Sequence, residues 1–271
     1  MSYPFQRLAK PFLREIKKLV LVAEKRRVQS LTGLVPITHF EEEDIFLVAY
    51  PKSGITWLQN IVAGIIYGVG SEHVPDTLIQ DLVPDVHYKR FYKRYQTPMY
   101  FKSHALPNPQ YKHVVYLLRD GRDVMVSYFH HNSALRGEPV DFYRMVRLGE
   151  GIPYKWHEHV EAWLDNPYCA DMITIRYEHL KQNPLEEMER FCEFVKIERD
   201  RDFLKNVLSC TNFDVMRSKE VRYGWEDKRW PKDKPFVRRG QIGSYKDEMP
   251  LPVLNAFLDD AESTLRKLGY L

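Results

Sequence analysis

The stretch "IFLVAYPKSGITWLQN" (45–60) constrains this chain more than any other. A short apolar run without polar alternation has the pattern of a strand buried on both faces. Pro51, Lys52, Ser53 and Gly54 interrupt it, and an apolar helical pattern begins at once. Strand, tight turn and helix in so few residues open a βαβ unit, which belongs in a parallel sheet covered by helices. In that layout the N–H groups of Ser53, Gly54, Ile55 and Thr56 stand at a helix start, where they suit an anion. Gly54 allows close backbone approach, the Ser53 and Thr56 hydroxyls add donors, and Lys52 adds a mobile charge. The Walker A order, G-x-x-x-x-G-K-[ST], places its lysine after the glycines, whereas Lys52 precedes Gly54. Taken alone, "PKSG" suits an ordinary turn with a surface lysine as well as it suits an anion site.

The same grammar recurs along the chain. Strands are expected at 45–50, 99–104, 113–119 and 172–177. Helices are expected over Thr56–Tyr67, Arg122–Ala134, Tyr154–Leu164, Leu185–Val195, Arg201–Ser209 and Leu251–Leu268, with an amphipathic helix over Pro11–Arg27. No repeat or Gly/Ser linker divides the sequence. The expected fold is therefore α/β, a single domain over residues 1–271 with a central parallel β-sheet flanked by helices and a P-loop-like nucleotide-binding core. Ligands of such sheets lie beyond the carboxyl ends of the strands. Lys52, His104, Arg119 and Tyr177 all fall at or just after strand ends, so one crevice should gather them.

Composition narrows the partners. Lys plus Arg (40) against Asp plus Glu (37) leaves +3, too balanced for a general nucleic-acid binder, so any anion preference is local. The N-terminal run "LVLVA" is far too short to span a bilayer, and no signal-peptide core precedes it. Cys169, Cys192 and Cys210 are odd in number and lack C-x-x-C spacing, which argues against a disulfide frame or a zinc site. The expected compartment is the cytosol, with neither a membrane nor a nucleic acid as partner.

Three further segments carry chemistry. In "RDGRDVMVSYFHH" (119–131), Arg119 closes a strand and Ser127 lies two helical turns beyond it, an arginine fork plus a hydroxyl that suits a phosphate monoester. Asp120 sits beside Arg119, which spoils it as a magnesium ligand, and no metal site is expected. In "FVRRGQIG" (236–243), Arg238, Arg239 and the Gly240 backbone form a compact anion clamp. In "YFKSHALP" (100–107), strand alternation points Lys102 and His104 the same way. Histidine titrates near ~6.5 when unperturbed, so His104 can accept a hydroxyl proton near neutrality. Singly, each of these residues also fits a structural role.

Together, and in order, these segments resemble the cytosolic sulfotransferase family over nearly the whole chain. "YPKSGITW" is similar to that family's 5′-phosphosulfate loop, "LLRDGRDVMVSYFHH" to its 3′-phosphate segment, "FVRRGQIGSY" to its R-K-G-x-x-G-D-W signature and "FKSH" to its K-T-H segment. The resemblance implies transfer of a sulfuryl group from 3′-phosphoadenosine 5′-phosphosulfate to a hydroxyl or amine of a small molecule. It places Lys52, Ser53, Gly54, Ile55, Thr56 and Trp57 at the 5′ end of the nucleotide. Arg119, Ser127, Arg238, Arg239 and Gly240 would take the 3′-phosphate, and Tyr177, Thr211 and Phe213 the adenosine. His104 becomes the general base, with Lys52 and Lys102 stabilising the transition state.

Departures from the pattern are equally specific. Ile55 stands where the family has a threonine, "GSY" replaces "GDW", Arg239 replaces a common lysine, and no K-x-x-x-T-V-x-x-x-E dimer motif occurs in 217–236. The segments 85–98 and 129–137 should flank the acceptor, and their Tyr, His and Arg content fits a phenol or a polar hydroxylated compound. Two other readings remain at this level: a P-loop nucleotide or small-molecule kinase, disfavoured by the lysine placement, and a non-catalytic nucleotide-binding protein of the same fold.

Overall fold

The computed structural model describes residues 33–225, 227 and 229–271; the expected helix Pro11–Arg27 lies outside them. A four-stranded parallel sheet forms the centre, built from β2 (Ile45–Ala49), β4 (Tyr100–Ser103), β5 (His113–Leu118) and β6 (Asp171–Arg176). The strand order is β4-β2-β5-β6, and every pair runs parallel. A separate antiparallel pair joins β1 (Leu34–Pro36) to β3 (Phe91–Lys93), with Val35 opposite Tyr92.

Apolar runs without alternation become intelligible once both faces are seen to be covered. Phe46 and Val48 of β2 and Val114, Tyr116 and Leu118 of β5 join one core cluster; Ile45, Leu47, Ala49, Val115 and Leu117 join the other. The first face is covered by α3 (Gly121–Arg136), α5 (Trp156–Asp165) and α11 (Leu251–Lys267), through Val124, Trp156, Trp163 and Phe257. The opposite face packs against α1 (Ile55–Tyr67), α7 (Pro184–Phe194) and α8 (Arg201–Ser209), through Leu58, Ile61, Phe191 and Leu204. Each large apolar side chain so buried contributes roughly 1.5–3 kcal/mol, which fixes the sheet register and with it the strand ends.

The expected strands and helices recur with their ends shifted by a residue or two, for local reasons. The expected helix over Tyr154–Leu164 starts at Trp156, because the Tyr154 carbonyl accepts from the Tyr50 hydroxyl at 2.8 Å and Glu158 accepts from the Lys155 N–H at 2.9 Å. Strand β6 stops at Arg176 because Tyr177 opens α6 (Tyr177–Gln182). Asp120 caps α3 by accepting from the Arg122 N–H at 2.9 Å, and its side chain is held by the Arg122 guanidinium at 2.7 Å. Sequence patterning did not mark β1, β3, α2 (Asp76–Leu82), α4 (Phe142–Leu148), α9 (Phe213–Tyr223) or α10 (Tyr245–Glu248). β1, β3, α2, α4 and α10 are three to seven residues long, too short for periodicity to stand out, and the eleven-residue α9 is mostly polar and charged. Among the described residues no helix is long and apolar enough to cross a membrane.

The parallel register brings the carboxyl ends of β4, β2, β5 and β6 side by side: Val48 pairs with Ser103, Ala49 with Leu117, and Leu118 with Arg176. The residues that follow these ends build the crevice.

Candidate active site

The loop after β2 turns by a hydrogen bond from the Ser53 N–H to the Tyr50 carbonyl at 3.2 Å. That bond uses one of the four amides expected to face an anion. Gly54, Ile55 and Thr56 retain theirs in the first turn of α1, which no side chain caps. Lys52 takes φ 72° and Gly54 φ 99°, both left-handed. Gly54 is obligatory for a second reason: a Cβ there would lie 2.8 Å from the Tyr177 ring. Ile55, where a hydroxyl was expected, turns into the core beneath the loop at 4% exposure. It contributes packing and its N–H rather than a side-chain donor.

Lys52 is half-buried, with its ammonium 4.0 Å over the Phe236 ring. Loss of water lowers its pKa to about 7, and the like charges of Lys102, Arg119 and Arg238 press it further down. A lysine so placed gains from any anion that enters.

Arg119 closes β5 and is buried. Its guanidinium lies 4.2 Å over the Tyr177 ring, donates to the Gln241 carbonyl at 2.9 Å and reaches the Lys52 carbonyl at 3.4 Å. Its Nε is buried with no hydrogen-bond partner. A buried charged donor left unpaired is costly and marks a place where an acceptor is needed.

Around it the other expected nucleotide residues converge. The Tyr177 hydroxyl donates to the Gly240 carbonyl at 3.1 Å, and Lys181 donates to the same carbonyl. Gly240, at φ 58°, packs so closely that a Cβ would lie 3.0 Å from Phe213. Trp57 donates its indole N–H to the Thr211 carbonyl at 2.8 Å and meets Tyr177 edge-on at 5.8 Å. Ser127 is half-buried on α3. Asp123, one turn after Arg119, accepts from Gly243 N–H at 2.7 Å, Tyr245 N–H at 3.0 Å and Ser244 Oγ at 3.3 Å. It moors the arginine-bearing loop to α3.

The two clamp arginines are already engaged. Glu248 accepts from Arg238 at 2.7 and 3.1 Å, from Arg239 at 2.9 Å, and lies 2.8 Å from His130 Nε2. Arg238 and His130 hold its carboxyl below the usual carboxylate range against the opposing effect of burial.

His104 follows the end of β4, and Lys102 is a neighbour of both it and Lys52. Its Nδ1 lies 2.8 Å from the Ala49 carbonyl. A carbonyl cannot donate, so Nδ1 carries the proton and Nε2 is left as an acceptor. Burial, reinforced by Lys102, drives the His104 pKa to about 3, opposed by Asp85 and the Ala49 carbonyl. The imidazole is therefore neutral at neutral pH. Its backbone N–H donates to His87 Nε2 at 2.9 Å. Lys102 does share the region but forms a buried ion pair with Asp85 at 3.0 Å. Its field still reaches both Lys52 and His104.

Aromatic rings close the remaining side. Phe236 stacks on Trp225 at 3.7 Å and meets Trp230 edge-on at 5.3 Å, while His131 stacks on Trp230 at 5.3 Å. His131 is kept neutral, with a pKa of about 4, by burial and by Lys52.

Sequence reasoning missed Asp85, Asp123, Lys181, Phe236 and Glu248. Lys181 carried a local signal, four residues after Tyr177 on α6, and Asp123 a weaker one, four residues after Arg119 in the first turn of α3; Asp85, Phe236 and Glu248 are remote in sequence from the residues they meet.

The profile of the family described as "Sulfotransferase domain" matches residues 42–269. Sulfotransferase 1B1 of Mus musculus is 27% identical over 75% of this chain and 76% of its own length. Sulfotransferase 2A6 of Rattus norvegicus is 29% identical over 80% and 82%. Retinol dehydratase, solved with androsterone and inactive cofactor PAP, superposes with a TM-score of 0.67 at 18% identity, covering 84% of this chain and 82% of its own. A mouse sulfotransferase complexed with PAP gives 0.61 at 19%, covering 83% and 85%. With its parallel sheet, its loop after β2 and this profile across most of its length, the chain belongs to the sulfotransferase family and is a sulfuryl-transferring enzyme.

Proposed function

We propose that this enzyme transfers the sulfuryl group of 3′-phosphoadenosine 5′-phosphosulfate to a small-molecule hydroxyl, with His104 as general base. The observation that carries the reading is a neutral His104, its Nδ1 held by the Ala49 carbonyl and its Nε2 left as an acceptor, that shares the neighbour Lys102 with the cationic loop at Lys52. The residues present fit the donor. The unpaired Arg119 Nε needs an acceptor, and Gly54 and Gly240, both at positive φ, let the backbone pass close to the Tyr177 and Phe213 rings that frame the site.

In this reading the first-turn amides of α1 and Lys52 hold the 5′ end, with Ser53 and Thr56 beside them. Trp57, Tyr177, Thr211 and Phe213 frame the adenosine. Arg119, Ser127, Arg238, Arg239 and the Gly240 backbone take the 3′-phosphate. The donor supplies a sulfuryl group whose leaving oxygen gathers charge. Lys52 is placed to balance that charge, and Lys102 adds to the field from its pair with Asp85. His104 takes the acceptor's proton through Nε2; the Ala49 carbonyl fixes the ring, and the Asp85 carboxylate favours the imidazolium that forms. Preorganised charges cost no rearrangement when the reaction occurs.

The acceptor side, where His131 meets Trp230 and Phe236, Tyr128 packs edge-on against His131 and His87 stacks on His104, fits a hydroxyl carried on a ring, a phenol included. We read residues 1–271 as one domain, and its compartment as the cytosol, where thiols such as Cys169, Cys192 and Cys210 stay reduced.

The test is transfer of labelled sulfuryl group from this donor to a panel of phenols, alcohols, amines and sugars. Wild-type enzyme should label at least one hydroxyl acceptor. His104→Ala should lose roughly a hundredfold or more in kcat while keeping its affinity for adenosine 3′,5′-bisphosphate within a few-fold. Undiminished turnover in that variant would remove His104 as the base.

A further inference from the structure

Glu248 lies where an anion clamp would leave room for its ligand. Its two carboxylate oxygens receive both terminal nitrogens of Arg238, one of Arg239, and contact from His130. A carboxylate accepting from an arginine fork mimics the way a phosphate monoester is held. The rest of the cradle is differently disposed: Arg119 keeps a buried Nε with no partner. One part of the proposed 3′-phosphate site thus awaits an acceptor while the other has one of its own. Glu248 reaches the arginines from α10, ten residues beyond Arg238, and its side chain is only 17% exposed. It is therefore largely enclosed beside the half-buried Arg238, while Arg239 reaches it from a more open position at 47% exposure.

We propose that Glu248 is a specificity-determining residue, an internal competitor that Arg238 and Arg239 must exchange for the nucleotide's 3′-phosphate. This rests on the reading that those arginines receive that phosphate. The exchange lowers the preference for 3′-phosphorylated over plain 5′-nucleotides, because part of the clamp's interaction is already made before the nucleotide arrives. It leaves the 5′ end and the adenosine untouched, since neither Glu248 oxygen contacts Lys52, Trp57 or Tyr177.

Calorimetric titration of the full chain with adenosine 3′,5′-bisphosphate and with AMP decides the matter. Glu248→Gln keeps the shape and removes the charge. It should tighten the bisphosphate about tenfold, the size of one charge-assisted contact released, and leave AMP unchanged within about twofold. Glu248→Ser gives the same comparison should the amide variant fail to fold. Unchanged or weaker bisphosphate binding, or an equal gain for both nucleotides, would overturn the proposal. Arg239→Ala separates the two layers. If it lowers the bisphosphate-to-AMP ratio while Glu248→Gln does not raise it, only the competitor role fails. If neither variant moves the ratio, the clamp assignment fails with it.

Discussion

Lys52 shows how one residue's surroundings set its chemistry. Its pKa near 7 means that the free enzyme holds it only partly protonated at neutral pH, because burial and three neighbouring cations disfavour the charge. An anion in the loop reverses that balance and raises the pKa, so binding adenosine 3′,5′-bisphosphate at pH 7.5–8 should take up a proton. Titration calorimetry in buffers of differing ionisation enthalpy measures the uptake directly. Affinity should also weaken as pH rises above about 7, and Lys52→Met should abolish both effects. Uptake that persists in the variant would assign the proton elsewhere. The sequence showed that this lysine precedes the glycine of its loop. It did not show that the ammonium would rest over Phe236, 184 positions later, since no periodicity links a strand-end turn to a remote loop.

At the scale of elements, the site depends on how loop 236–245 is moored. Asp123 receives three donors from Gly243, Ser244 and Tyr245, and Glu220 of α9 receives the Val237 N–H at 2.9 Å along with that of Phe236. Two helices thus hold the segment carrying Arg238, Arg239 and Gly240. Removing Asp123 leaves two backbone N–H groups and a hydroxyl without acceptors and Arg119 without a neighbouring carboxylate at 3.8 Å. Asp123→Ala should cost about 3 kcal/mol in chemical denaturation. It should also weaken the bisphosphate more than tenfold while leaving the His104 backbone contacts in place. A variant as stable as the parent would show that Glu220 alone suffices. The two helices were unequally visible in the sequence: α3 was expected nearly in full, whereas α9 was not, its sequence being mostly polar and charged.

Across the whole molecule, the fold buries neutral histidines at the carboxyl edge of the sheet. His104 titrates at about 3, and His131 and His159 at about 4, with burial the leading cause in each. In the unfolded chain all three titrate near ~6.5. As pH falls below that value the unfolded state binds protons that the folded state refuses, so stability is present above ~6.5 and drains away as pH drops towards 4. The three together set a slope of up to about 4 kcal/mol per pH unit. The melting temperature should therefore decline steeply from pH 7 to pH 5. A flat profile across that interval would show these rings to be protonated in the fold.

What the sequence determined by itself was the sheet and the residues at its carboxyl edge. Apolar runs punctuated by Pro, Gly and Lys fit buried parallel strands, so the strand ends that carry Lys52, His104, Arg119 and Tyr177 were expected along one edge. What only the tertiary structure decided was how the charges pair. Asp85 lies beneath Lys102, Glu248 spans Arg238, Arg239 and His130, and the Ala49 carbonyl selects the tautomer of His104. The physical reason is that secondary structure follows from neighbours within a few residues, whereas a buried charge takes whichever counter-charge the packed loops bring within about 3 Å.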